Sequence, residues 1–110
     1  MRTLEFIVNG QLLEPDPACD FSGLVPGTDG YLQAHFTLSK EWEDCGVVVS
    51  FHSTFGKEYG AYVLGPYNTC DIPKEALKKR AFKMQVLGIR RDDYRLSTNK
   101  LEIKQTGGTV

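Results

Sequence analysis

The chain is poor in the features that staple, anchor or charge a protein. Its three cysteines, Cys19, Cys45 and Cys70, are odd in number and include no Cys-x-x-Cys pair. That parity and spacing exclude a disulfide framework and a zinc knuckle, so reduced thiols are the expected state. No apolar run approaches the ~20 residues that span a bilayer. No apolar leader core follows Met1, so no signal peptide and no membrane partner are expected. Neither sign of charge dominates. Thirteen Lys and Arg stand against fourteen Asp and Glu, a formal net charge of −1. A phosphate backbone would not be drawn strongly to such a surface, which argues against a nucleic-acid partner. Catalytic signatures are missing too. There is no Gly-x-Ser-x-Gly elbow, phosphate-binding glycine loop or His-Glu-x-x-His. The expectation is a chain that is not an enzyme and needs no cofactor.

What is present reads as a globular protein. Apolar residues make up 41% of the chain and charged ones 25%, ordinary values for a packed domain. At 110 residues the chain is one domain, large enough to bury a core without staples. Residues 1–106 read as the domain and residues 107–110 as a tail or linker.

Strand signals dominate. Thr3 to Val8 reads as a strand, followed by Asn9-Gly10 as a two-residue hairpin turn. That turn predicts Ile7 opposite Leu12 and Phe6 opposite Leu13. Leu4, Phe6 and Leu13 then share one face, and Ile7 and Leu12 the other. Apolar residues on both faces predict cover on both sides, the second from another subunit. Residues Glu14 to Gly30 form a long irregular segment rich in Pro and Gly, with Phe21, Leu24 and Val25 as its tethers. Tyr31 to Leu38 is the clearest strand. Leu32, Ala34, Phe36 and Leu38 face in, and Tyr31, Gln33, His35 and Thr37 face out. Val47, Val49 and Phe51 face in on the next strand, with Ser50 and His52 opposite. A turn at Ser53–Lys57, with Gly56 at positive φ, leads to a strand from Glu58 to Leu64.

The sequence then reaches its one helical signal. Pro73 suits a first helical position, Asp71 can cap, and Lys74 to Lys78 are good helix formers. A short helical turn is predicted near residues 73–79, with Ala76 and Leu77 plugging an open end of the core. Phe82, Met84 and Val86 alternate with Lys83, Gln85 and Leu87 as a strand. Gly88 interrupts that face and marks a close approach. Leu101 and Ile103 alternate in a last strand that Leu96 to Asn99 leads into. The sum is an all-β fold: an antiparallel β-sandwich of about six to eight strands. Its core is Leu32, Phe36, Val49, Phe51, Phe82, Val86 and Ile103.

Candidate chemistry is thin. His35 and His52 would bind a metal only if their strands were neighbours, and no third ligand is visible. Two exposed strand histidines are the preferred reading. Asp16, Asp20 and Asp29 lack the calcium-loop pattern and read as turn residues. Asp92 and Asp93 point opposite ways if extended and make a poor acid–base pair. A Cys–His nucleophile would need a cysteine beside His35 or His52, whereas buried inert cysteines are commoner. No catalytic, cofactor or metal residue is assigned. The aromatics Tyr31, Trp42, Phe55, Tyr59, Tyr62, Tyr67 and Tyr94 are the better lead, as stacking platforms or interface anchors. Trp42 reads as a lid on the core. The expected interface residues are Ile7, Leu12, Phe21 and Tyr31.

Several segments, in their order, resemble one family. They are a strand ending in Phe36 and Leu38, Trp42, the Val47–Phe51 strand, and Cys70-Asp71-Ile72-Pro73 with Ala76-Leu77. The Phe82–Gly88 strand, Arg95-Leu96-Ser97-Thr98-Asn99 and Gly107-Gly108 follow. Together, over about residues 30–108, they resemble the N-terminal β-sandwich domain of baseplate upper proteins and related tail proteins of phages of Gram-positive bacteria. The tip of the Glu14–Gly30 loop has no counterpart there. Such proteins also often continue into further oligomerising regions. The resemblance implies a virion structural role in a tail or baseplate, with other virion subunits and copies of the chain as partners. It also implies synthesis in the bacterial host cytoplasm and residence in the virion. The second reading is a carbohydrate-binding module for a host-surface glycan.

The face assignment has a direct test. Phe36→Ala should cost about 3–5 kcal/mol in urea unfolding. A loss under about 1 kcal/mol, the scale of surface changes, would mean the faces are reversed.

Overall fold

The structure, a computed structural model, describes residues 1–107. Strands β1 (Arg2–Asn9), β2 (Leu12–Pro15), β3 (Leu32–Leu38) and β6 (Thr69–Asp71) form one sheet in the order β2-β1-β3-β6. Strands β4 (Gly46–His52), β5 (Glu58–Val63), β7 (Ala81–Ile89), β8 (Arg95–Ser97) and β9 (Leu101–Lys104) form the second. Its order is β5-β4-β7-β8, with β9 also paired to β7. The sheets pack as an all-β sandwich, as the alternation predicts. Each inner face is apolar because each strand buries alternate residues. Leu4, Phe6 and Val8 of β1 meet Leu32, Ala34 and Phe36 of β3 on one side, and Val49, Phe51, Phe82, Met84 and Val86 lie on the other, all buried.

One pairing departs from the antiparallel expectation. β1 and β3 run parallel, with Phe6 beside Phe36. Local alternation says which face of a strand is buried, but not which strand lies next to it.

The N-terminal hairpin is also shifted. Its loop is Gly10–Gln11, not Asn9-Gly10, so Val8 meets Leu13, Asn9 meets Leu12 and Ile7 meets Glu14. Gly10 takes φ +60°, as the first central residue of a type II′ turn does. Each residue gains a partner two positions away, so the faces survive the shift. Leu4, Phe6 and Leu13 are buried together, with Ile7 and Leu12 on the opposite side.

The ends are closed differently. At one end Trp42 is buried in a 3-10 turn, Lys40–Trp42. Its indole N–H donates to Gly10 O at 2.9 Å, and its ring lies where a Cβ on Gly88 would be. At the other end the helix α1 (Lys74–Leu77) plugs the core with fully buried Ala76 and Leu77. It is one turn long. Pro73 is its N-cap residue and not its first helical residue, and no side chain caps it. Asp71 belongs to β6 instead.

The long segment after β2 is irregular, as expected. Asp16 and Asp20 accept hydrogen bonds from the backbone N–H of Ala18 and Ser22. Phe21 and Leu24 tether it, whereas Val25 is exposed. Thr98 separates β8 from β9, so the last strand is not continuous with Leu96–Asn99. Its backbone N–H donates to Val86 O, and its hydroxyl accepts from Val86 N. Gly107 N–H donates to Leu24 O at 2.8 Å, which fixes residue 107 to the loop. The rest of the expected tail, 108–110, lies outside the described residues.

Gly88→Ala would place a Cβ 2.8 Å from Trp42 Cζ3 and 3.3 Å from Cys45 Cβ. It should cost about 1–3 kcal/mol by overpacking, with a red shift of the single tryptophan's emission. Unchanged stability and emission would mean that the ring has room to move.

Candidate functional site

The outer edge of the second sheet is where the fold leaves most unsatisfied. Leu64 N–H donates to Val47 O, and Tyr62 pairs with Val49. An antiparallel ladder alternates the direction of its peptide groups. Ala61 and Val63 therefore turn their N–H and C=O away from β4, toward solvent. Edge strands are commonly protected by Lys, Pro or a bulge. Between Glu58 and Val63 there is no Lys or Pro, and the register shift lies at the far end, beside Phe51 and His52. The Ala61–Val63 half is open.

The surface beside that edge is apolar. Val63 pairs with Val48 and Val48 with Leu87, so the three form one row on the outer face. Val63 is 74% exposed and Ile89, two residues along β7, 51%. Next to them the chain turns at Gly65-Pro66. Tyr67 and Asn68 both adopt left-handed conformations, φ 62° and 58°. Asn tolerates this; for Tyr it costs about 1–3 kcal/mol. The turn is held by Gly65 N–H to Thr69 O, Asn68 N–H to Gly65 O and Thr69 Oγ1–H to Pro66 O. The result is a Tyr67 side chain 90% exposed. Between edges β5 and β6 runs an open groove of about 490 Å³, lined by Gln33, Tyr62, Val63, Thr69, Cys70 and Asp71 among others. Burial pushes the Cys70 thiol up to about 12, so it stays protonated and unreactive.

The expected interface residues do not form one patch. Ile7 and Leu12 share the outer face of the first sheet but are not paired. Ile7 is half-buried beside Glu14, and Leu12 is exposed beside Asn9. Phe21 packs edge-on against Phe6, centroids 5.4 Å apart, and so serves its own core. Tyr31 is exposed just before β3, its carbonyl accepting from Arg2 N–H. Tyr62 and Tyr67 were visible among the aromatics, but nothing in their neighbours' identities marks them as an edge.

The histidines lie on different sheets. His35, on β3, shares a hydrogen bond between its Nδ1 and the Glu5 carboxylate on β1. His52, on β4, is buried, contrary to the exposed position expected of it. β4 is central, so Glu58 and Lys83 flank His52 from both sides. The two strands are not neighbours, which removes the metal geometry. Among the described residues no three His, Cys, Asp or Glu are grouped to hold a metal.

His52 Nε2 lies 2.8 Å from Ser50 Oγ, while buried Nδ1 has no partner. The less costly tautomer places the proton on Nε2, donating to Ser50 and leaving only a lone pair unmet. Ser50 is itself sealed from solvent. A histidine that donates to a buried serine is not placed as its base.

Comparison with family models, curated proteins and solved structures finds no match for this chain.

Burial, then the nearby Lys100, lowers the His52 pKa below 6.5, against a smaller opposing effect of Glu58. The unfolded chain therefore takes up the proton first as pH falls. Stability from this residue is complete above about pH 6.5 and declines below it, by at most about 1.4 kcal/mol per pH unit. Urea unfolding at pH 7.5 and 5.5 should show a larger loss for the native chain than for His52→Gln. Equal losses would show that His52 is protonated without cost in the fold.

Proposed function

We propose that this chain is a non-catalytic assembly module that docks by accepting an extended segment of a partner along the open half of β5. The observation that carries this reading is a coincidence at one edge. Free peptide groups of Ala61 and Val63 lie beside the exposed apolar side chains of Val63, Ile89 and Tyr67. Main-chain hydrogen bonds to an added strand supply affinity, and flanking side chains supply specificity. Exposed apolar surface of this kind is what association removes from water. The left-handed backbone held at Tyr67, whose ring stands in solvent, fits the same reading. Ile7 and Leu12, on the other sheet, supply a second and smaller contact.

The setting comes from the resemblance. A tail or baseplate of a phage or prophage is built from repeated subunits, and copies of this chain and other virion proteins are its partners there. The virion, after synthesis in the host cytoplasm, is the corresponding location.

Particles purified from the strain that encodes this chain should contain it by mass spectrometry. A Val63→Lys, Ile89→Lys variant changes only exposed positions and should melt close to the native chain, yet fail to enter particles. A chain absent from particles, or a variant incorporated normally, would overturn the reading.

A further inference from the structure

A second feature lies at the other end of β5. The β4–β5 hairpin and the segment after α1 enclose a groove of about 360 Å³, lined by Ser53, Thr54, Phe55, Tyr59, Lys79, Arg80 and Ala81. Phe55 is 99% exposed. A phenyl ring wholly in water is unusual for a residue type that folding normally buries.

Both walls of the groove are fixed. In the hairpin, Ser53 Oγ accepts from Phe55 N at 3.2 Å and from Lys57 N at 3.0 Å. Ser53 N–H donates to Lys57 O, and Gly56 N–H to Ser53 O. Opposite, the fully buried Gln105 binds three backbone carbonyls. Its side-chain amide donates to Leu77 O at 3.0 Å and Lys79 O at 2.7 Å. Its backbone N–H donates to Arg80 O at 2.6 Å. Those bonds hold the backbone of Lys79 and Arg80. Among the described residues, the carboxylate pair made by a Lys or Arg is Arg90–Asp92. Lys79 and Arg80 are therefore without a carboxylate partner, and no acidic residue lines the groove.

We propose that this groove binds an anionic saccharide. The apolar face of a sugar ring stacks on Phe55, and Tyr59 lines the same groove. A carboxylate or phosphate on the saccharide meets Lys79 and the planar fork of Arg80. The Thr54 hydroxyl suits sugar hydroxyls. A concave site of this size fits one or two sugar units, and because the backbone of its walls is already ordered, binding has only the exposed side chains to order. A nucleic acid shares the ring and the anion, but it needs a longer basic track than two adjacent cations on a chain of net charge −1.

The site is separate from the docking half of β5, so it stands or falls by itself. Titration calorimetry on the full chain would use hexagalacturonate, phosphorylated pentamannose, neutral maltohexaose, a twelve-residue oligothymidylate and a ten-residue polyglutamate. Hexagalacturonate or the phosphorylated sugar should bind, the preference between them identifying the anion, and maltohexaose should not. Phe55→Ala and the pair Lys79→Gln, Arg80→Gln should each weaken binding at least about tenfold. Raising the salt should weaken it further. All these residues are exposed or half-exposed, and unchanged melting curves would show that the variants fold. The Val63→Lys, Ile89→Lys variant should bind the sugar normally. Three results would overturn the proposal. They are no binding by either acidic saccharide, binding indifferent to Phe55→Ala, and tighter binding of oligothymidylate or polyglutamate.

Discussion

The parallel pairing of β1 with β3 is the constraint from which much of this fold follows. β2 folds back antiparallel on one side of β1, and β3 must then pair on the other. The chain has to pass round the end of β1, a displacement of two strand spacings, about 10 Å. A few residues would cover that distance. The sixteen between β2 and β3 do more than connect. They carry Phe21 and Leu24 under the sheet, and Phe21 meets Phe6 edge-on while Phe6 stacks on Phe36 at 5.4 Å. Aromatic pairs of this kind add about 0.5–1.5 kcal/mol each to their burial. The loop is thus tied to the pairing that makes it necessary.

The first sheet's hairpin is tied to the second sheet, with Asn99 bonded to both backbone groups of Leu13 and Gln11 bonded to Ser97 O. Trp42 donates to Gly10 O on the first sheet's hairpin and rests on Gly88 of the second. That contact is why position 88 carries no side chain. At the opposite end Gln105 reaches from beyond β9 to α1 and the segment after it, and so fixes the plug in place. With both ends closed and both inner faces apolar, the long edge at β5 is what remains open. That edge joins unpaired backbone groups to exposed apolar side chains, Val63 and Ile89.

How much of this was legible in the sequence depends on the range of the interaction that decides it. Burial of alternate residues is local, so the core from Leu32 to Ile103 could be read directly. Gly56 and Gly88 were legible for the same reason, since a turn and a close approach each need a residue without Cβ. Strand neighbours are not local. Nothing in Thr3–Val8 or Tyr31–Leu38 announces that they run parallel, and nothing in Glu58–Val63 announces an edge. The burial of His52 depended on the same missing information, because a central strand shields what an edge strand exposes. The hairpin slipped because Gly10 can serve as either central residue of a tight turn. The aromatics of the candidate sites were visible as residue types. Their surroundings were not, since Phe55 and Lys79–Arg80 are more than twenty residues apart and meet only when β4–β5 packs beside α1.

Two exposed aromatics, Tyr67 and Phe55, sit near opposite ends of β5, each on a turn whose backbone is held by hydrogen bonds. Tyr67 bears the added strain of a left-handed backbone. Neither helps the fold. Burying Phe55 would gain about 1.5–3 kcal/mol, and glycine at 67 would remove the strain. Small domains have little stability to give away. Exposed aromatics presented on ordered turns offer a partner apolar area to bury, and only the rings remain to be ordered on binding. Glu58 to Val63 spans about 17 Å at the rise of a β-strand, and the bulge beside Phe51 and His52 separates the halves. A strand added along Ala61–Val63 therefore need not reach the groove below. One edge strand can hold a protein partner at one end and leave an acidic sugar free to bind at the other.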